Sequence, residues 1–422
     1  MSAASADDAA DAPDASPAVG DADAPLDAPA APAPDPPSDP KSGKHGKHGT
    51  PDDAAASSEA PAGAGDDAEV AGTKKKPKKK KHEKDGKLEF GGRVFLRGAL
   101  FKDQSAAKAV ALASVKSARV GLAYRWNELR VEVAAEIASK LRLKDAFVQL
   151  RVTDAGPKLD IRAGNFKVPF SAIQLTSTWT LPLGDRGLID NVLTKRLQVA
   201  GRAVGAMAIV EWPVAWSPTV RVGVFQGTDD AGTPLSATAS DRFGLDGVLR
   251  VSVKPTHGLE LGAAGSARTG QLQVVPLTVS RGYAAEVDAT LAQDMGPGML
   301  RVWVEAMLGT SWLVAGSDPS RSRATFAEGR GIIAYRFGGA SHGKRYAEVY
   351  GLFGGVDPDT TIRHDLVAEM TGGVSYGAFN AWRVQAELER WQVGSKAPIG
   401  IVELGLGPAT STTFFLQLGA RI

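Results

Sequence analysis

The chain has 422 residues, 48 of them Gly and 25 Pro, with no cysteine and a formal net charge of +2. No run approaches the roughly 18–20 uninterrupted apolar residues that a membrane-crossing helix needs, which excludes a helical membrane protein. Without cysteine there are no disulfides and no thiolate metal sites.

The small net charge conceals three unlike segments. Residues 1–72 carry fifteen acids against three lysines and almost no large apolar side chain. Such a segment cannot bury enough surface to offset its ordering entropy, so it is expected to be disordered. Residues 73–87 hold nine lysines against two acids, centred on Lys74-Lys75-Lys76-Pro77-Lys78-Lys79-Lys80-Lys81. A run like this can meet phosphates, lipids or anionic polymers, but its plainest reading is a solvated linker. With no aromatic residue interleaved, nucleic-acid binding is not expected. The first residues, Met1 to Asp8, lack the charged start and apolar stretch of a secretory signal. An outer-membrane location therefore requires either a signal upstream of Met1 or a different reading of where the protein resides.

From Leu88 the pattern changes to alternation. Leu88, Phe90, Val94, Leu96 and Leu100 share one face, with Glu89, Arg93 and Arg97 on the other. Ala118, Val120, Leu122, Tyr124 and Trp126 repeat it against Arg119 and Arg125, and Leu129, Val131, Val133 and Ile137 against Arg130 and three glutamates. Period-two alternation of this kind predicts strands with one apolar and one charged face. Further strands are predicted near 145–152, 158–166, 202–212, 218–226, 242–254, 258–268, 281–293 and 299–309. The last five lie near 324–337, 345–353, 364–376, 380–391 and 411–422, which makes sixteen.

Connections alternate in length. Short ones centre on Asn127-Glu128, on 154–157, 213–218, 255–258, 294–298, 338–343 and 377–379; the long ones are 102–117, 167–201, 227–241, 269–280, 310–323, 354–363 and 392–410. The short link near Ser139 is the exception. A sandwich has no reason to sort its loops by parity, whereas even-numbered outer-membrane barrels have short turns on one side and long loops on the other. The fold expected for 88–422 is thus all-β, a closed antiparallel transmembrane barrel. Tyr124, Trp126, Trp212, Trp216, Trp382 and Trp391 fall near predicted strand ends, where interfacial aromatic girdles lie.

Residues 159–227 resemble the phosphate-selective porin family of Gram-negative outer membranes. The similarity runs through Ile161-Arg162-Ala163-Gly164-Asn165-Phe166-Lys167-Val168-Pro169-Phe170-Ser171. It continues at Asp185-Arg186, Arg196, Gly201-Arg202-Ala203-Val204-Gly205 and Val222-Gly223-Val224-Phe225-Gln226-Gly227. The resemblance implies a trimer of sixteen-stranded barrels whose long loop after the fifth strand, 167–201 here, folds inward and narrows the pore. It further implies constriction residues Lys167, Arg186, Lys195 and Arg196, with Arg93, Arg97, Arg119, Arg125, Arg130, Arg151, Arg162 and Arg221 lining the wall. Small anions or other hydrophilic solutes and outer-membrane lipid would be the partners.

Charge balance tempers the expected selectivity. Glu128, Glu132, Glu136, Asp160, Asp246, Glu286, Asp288, Glu305, Glu328, Glu348, Glu369, Glu387 and Glu389 also take inward parity, about as many as the inward arginines. Stripes or rings of one sign set ion selectivity. Equal numbers allow either segregated stripes or paired charges, so passive diffusion of small hydrophilic solutes is the expected function and anion preference the finer one. The final strand, Thr413 to Ile422, alternates correctly but ends in Ile, where most such barrels end in an aromatic residue.

Other chemistries find little support. Of six histidines, His45, His48 and His82 lie in the N-terminal segments, His257 and His342 in turns, and His364 at a loop–strand junction. None sits mid-strand beside a serine, so nucleophilic catalysis lacks a base. His45 and His48 have few supporting ligands for a metal. Pairs such as Glu387 and Glu389 suit a solvated lumen better than acid–base work, and no enzyme activity or cofactor is expected. The rival from another class is a plugged structural or adhesive barrel with a basic periplasmic tether.

Overall fold

In a computed structural model of the chain, the described residues are 86–103, 110–138, 141–153, 156–226, 245–272, 278–311, 324–338, 343–397 and 410–422. The disordered segment expected at 1–72 and nearly all of the Lys-rich linker lie outside them.

Alternation produces strands wherever it was read. β1 (Lys87–Asp103), β2 (Val110–Trp126), β3 (Leu129–Glu136) and β4 (Arg142–Thr153) are followed by β5 (Lys158–Lys167), β6 (Arg202–Glu211), β7 (Thr219–Gln226) and β8 (Leu245–Thr256). The second half comprises β9 (Leu259–Leu272), β10 (Thr278–Met295), β11 (Gly298–Ser311), β12 (Ala324–Gly338), β13 (Arg345–Asp357), β14 (Val367–Ala378), β15 (Trp382–Val393) and β16 (Thr410–Arg421). Every strand pairs antiparallel with its sequence neighbours, and β1 pairs with β16, closing a sixteen-stranded barrel. Ile422 completes the seam: its N–H donates to Gly92 O at 2.9 Å and its carbonyl accepts from Gly92 N–H at 3.2 Å. Closure leaves no open edge for lipid to solvate, which spanning strands require.

Side-chain environments follow the pleat. Along β16, Phe414, Leu416 and Leu418 are exposed while Thr413 and Gln417 are buried; along β12, Ile333 and Phe337 are exposed while Arg330, Ile332 and Arg336 are buried. Apolar-out and polar-in is the reverse of a soluble barrel and matches lipid outside and protein or water inside. No helix among the described residues is long and apolar enough to cross a membrane.

The first hairpin departs from expectation. The long loop predicted at 102–117 is mostly strand, because β1 and β2 extend to Asp103 and from Val110. Main-chain pairing continues there through a stretch of Ala, Ser and Val too weakly patterned to announce it. Inside β2 the register slips: Phe95 pairs with Ser117 but Leu96 with Val115, leaving Lys116 as an extra residue in a bulge. Strands also lengthen into the predicted loops 269–280 and 310–323.

Between β5 and β6, residues 168–201 form α1 (Ala172–Leu175), α2 (Gly187–Asn191) and a π-helical turn, Val192–Arg196. This segment lies within the barrel. Leu188, Ile189, Val192, Leu193, Leu197 and Val199 pack with inward side chains of the wall, among them Phe147, Phe166, Phe225, Met307, Phe326, Val356 and Val393. Ile173, Leu181 and Leu183 pack with Trp303, Ile332, Tyr350 and Leu352 in a second cluster. Burying each such aliphatic side chain is worth about 1.5–3 kcal/mol, so the loop is held by an apolar core of its own.

Candidate functional site

The loop's irregular backbone leaves N–H and C=O groups that no neighbouring strand can satisfy, and buried groups of this kind need partners. The far wall supplies them with charged side chains. Glu286 on β10 accepts from Ser171 N–H at 2.6 Å and Ala172 N–H at 3.0 Å. Glu305 on β11 accepts from Ile173 N–H at 3.1 Å and from the Ser171 hydroxyl at 2.9 Å. Glu369 on β14 accepts from Ile189 N–H at 3.0 Å, and Glu387 on β15 from Gly184 N–H at 2.5 Å.

Carbonyls are met in the same way. The Arg383 guanidinium donates to the carbonyls of Thr178, Trp179, Leu181 and Leu183 at 2.8–3.2 Å. Arg301 donates to Thr180 O at 2.6 Å while also pairing with Glu348 at 3.0 Å. Gln385 donates to Pro182 O at 2.5 Å. Arg330 joins Glu305 at 2.6 Å to the loop's Asp190 at 3.4 Å.

The loop tip is fixed on the adjoining wall. The Asp185 carboxylate meets Arg97 at 3.3 Å and is also paired with Lys116, whose ammonium donates to Gly184 O at 3.1 Å. The bulge in β2 makes this possible, since the extra residue turns Lys116 off the regular outward row. Burial alone would raise the Asp185 carboxyl, but the Lys116 and Arg97 charges hold it below the usual carboxylate range. For Asp190 burial outweighs the attraction of Arg330 and Arg186, and its carboxyl is raised. Burial, with Arg202 and Arg330 nearby, lowers Arg186 to about 10.

The four loop residues implied for the constriction take different places. Lys167 donates to the carbonyls of Gln174 and, at 3.4 Å, Thr176. Arg186 is wholly buried and donates to the carbonyls of Ile173, Gln174 and Thr176. Lys195 and Arg196 are half-buried in the π-helical turn.

Of the wall arginines, Arg93 is buried against the Phe95 ring, 5.8 Å away. Arg97 is held by Asp185 and, at 2.9 Å, Gln417, and Arg119 lies 3.8 Å from Glu136. The other five gather on neighbouring strands. Arg125 on β2 pairs in register with Arg130 on β3, Arg130 with Gln149 on β4, and Gln149 with Arg162 on β5. Arg151 on β4 pairs with Asp160, and Arg221 on β7 with Arg250 on β8.

All five stand within about five residues, roughly 16 Å of strand, of the short-turn rim. Arg130 pairs with Glu132, and Arg151 with Asp160 at 3.1 Å. Among the described residues no acid lies within ion-pair distance of Arg125, Arg162 or Arg221. The Arg162 guanidinium donates to Gln149 Oε1 at 2.7 and 3.0 Å and stacks over Phe147 at 4.4 Å and Phe166 at 5.5 Å. Neutral partners and aromatic faces thus orient that guanidinium, and Glu132 acts on it only from beyond ion-pair distance.

Sequence reasoning missed Lys116, which was assigned to a loop, and the docking roles of Arg383, Arg330 and the four glutamates. One signal for the docking was present. A loop containing Ile173, Leu181, Leu183, Leu188, Ile189, Val192, Leu193 and Leu197 is too apolar to stay in water.

A family model described as phosphate-selective porin O and P matches residues 116–325, from within β2 to the start of β12. No curated protein matches the chain. Among solved structures, an anion-selective porin from Comamonas acidovorans superposes with a TM-score of 0.52 at 12% identity, over 80% of this chain and 100% of that one. Pseudomonas putida OprB gives 0.53 at 10% identity, over 81% and 95%, and the outer-membrane channel DcaP of Acinetobacter baumannii 0.53 at 9%, over 81% and 98%. At such identities the likeness is one of fold. Over 116–325 the chain matches the model of the phosphate-selective porin O and P family, and that stretch is part of a closed sixteen-stranded barrel.

Proposed function

We propose that the protein is an outer-membrane porin, assembled as a homotrimer, that passes small hydrophilic solutes passively and prefers anions. On this reading the loop 167–201 narrows the lumen and the arginines of β2–β7 form its selective wall. The observation that carries the preference is an asymmetry of pairing. Glu286, Glu305, Glu369 and Glu387, on β10–β15, are engaged by loop N–H groups. Arg125, Arg162 and Arg221, on the other wall, have no acid partner among the described residues. Equal numbers of inward charges therefore leave an unequal field, and a low-dielectric wall focuses it on a passing ion.

Names of similar proteins agree: the Comamonas acidovorans protein is called anion-selective, and the family phosphate-selective. Strict selection of phosphate goes further than charge asymmetry carries. The second reading, a plugged structural or adhesive barrel, draws on the two apolar clusters inside the lumen. Proteoliposome swelling separates the two. Entry of a small neutral sugar, and faster entry of a small organic anion than of a cation of equal size, supports the porin. No entry of either supports the plug.

A further inference from the structure

We propose that Gln149 is a positioning residue of the pore: its amide holds the Arg162 guanidinium apart from Asp160, so that the arginine belt near the short-turn rim keeps that charge for passing anions. The role rests on the anion-preferring reading of this wall, and it assigns part of the preference to a neutral side chain.

The strand ladder places the groups in a block of four. Gln149 and Arg151 are alternate residues of β4, and Asp160 and Arg162 alternate residues of β5; Gln149 stands in register with Arg162, and Arg151 with Asp160. Alternate residues share one face of a strand and stand about 6.7 Å apart along it, a span that an arginine and an aspartate side chain together can cover. A free Arg162 would therefore have a carboxylate of its own strand within reach. The two do not pair. Asp160 Oδ1 accepts from Arg151 Nε at 3.1 Å, and its Oδ2 from Gln149 Nε2 at 2.8 Å. Gln149 Oε1 accepts from Arg162 Nε at 3.0 Å and from its Nη2 at 2.7 Å.

The direction of the amide is dictated by its neighbours. A carboxylate only accepts and a guanidinium only donates, so the amide nitrogen must face Asp160 and the oxygen Arg162. Turned over, the amide would set oxygen against oxygen and N–H against N–H. One uncharged side chain thus engages both charges and keeps them separate. A glutamate at this position would neutralise Arg162, and an apolar residue would release it. Phe147, two residues along β4, supports the same placement: the Arg162 guanidinium lies 4.4 Å from the ring centre and that of Arg130 5.8 Å.

Gln149→Met keeps an unbranched side chain, changes no charge and removes both sets of hydrogen bonds. Arg162 should then turn to Asp160, and the anion-to-cation permeability ratio of the full chain in planar bilayers should fall severalfold, as far as in Arg162→Gln. In an Asp160→Asn background the same substitution should leave the ratio unchanged. A ratio that Arg162→Gln lowers and Gln149→Met does not overturns the proposal and leaves the porin reading standing. An equal fall in both backgrounds also overturns it, since Gln149 would then act without Asp160. A ratio that neither single variant moves overturns it together with the assignment of selectivity to this wall. A crystal structure of Gln149→Met supplies an arm that needs no current: Arg162 should lie within ion-pair distance, about 4 Å, of Asp160. A guanidinium still held apart from Asp160 contradicts the role given to Gln149.

Discussion

Arg162→Gln removes one charge from the belt while keeping a side chain that can bond Gln149 and lie near Phe147. For an anion about 5 Å from the guanidinium, one unit charge contributes about 0.8 kcal/mol at a dielectric near 80, and more where the wall lowers it. That is roughly a fourfold change in local anion occupancy. Arg162 is a favourable target because no acid lies within ion-pair distance of it among the described residues and because two phenyl rings fix its position. The assay is the zero-current potential across a salt gradient centred near 0.1 M, where the Debye length is about 10 Å. The anion-to-cation permeability ratio should fall severalfold, and the difference should shrink near 1 M. Arg301→Gln is the contrast, since that side chain is committed to Glu348 and Thr180 O and should leave selectivity far less altered. An unchanged potential in Arg162→Gln, or an equal loss in both variants, would refute the assignment of the free field to β2–β7.

Asp185→Asn leaves Lys116 and Arg97 buried without their shared counter-charge, and breaking such a buried set costs about 3–5 kcal/mol. Hydrogen exchange should quicken at residues 178–187 with little change in the strands; uniform quickening would show instead that the tip does not act as a separate latch. Gly187 has φ 85°, and a Cβ there would stand 1.8 Å from Glu369 Oε1, so Gly187→Ala should displace α2 from β14 and broaden the distribution of conductance levels. A wild-type distribution would mean that the loop is not seated on Glu369. Asp365, in the connection between β13 and β14, is raised to about 6, by burial first and then by the nearby Asp357. A folded pKa above the ordinary value means that the folded loop holds its proton more tightly and loses stability as pH rises towards and through 6. Asp365→Asn should therefore protect residues 358–366 against hydrogen exchange above pH 6 and make no difference below about pH 4. The opposite pH order would show that the charged form is the favoured one.

All sixteen strands were legible because burial on one face imposes period two on the sequence, and a one-residue slip would turn every apolar side chain inward. The ends were less legible. Across Val110 to Ser117 the residues are small and weakly contrasted, and the hairpin continues on main-chain hydrogen bonds that no side-chain pattern records. The bulge at Lys116 hid a functional lysine for the same reason: it breaks the parity from which facing is read. Within the lumen, parity gave the facing of the wall arginines but not their availability. Whether Arg383 or Arg162 meets a solute depends on where the carbonyls of residues 178–183 come to rest. That position follows from packing of the loop against Trp303, Ile332 and Leu352, partners more than a hundred residues distant.

The most direct measurement is current through single molecules of the full chain in planar bilayers with a salt gradient across them. An open, anion-preferring barrel gives discrete conductance steps and a zero-current potential of the sign set by anion flow. A tight seal at every voltage, or a potential of the cation sign, contradicts it.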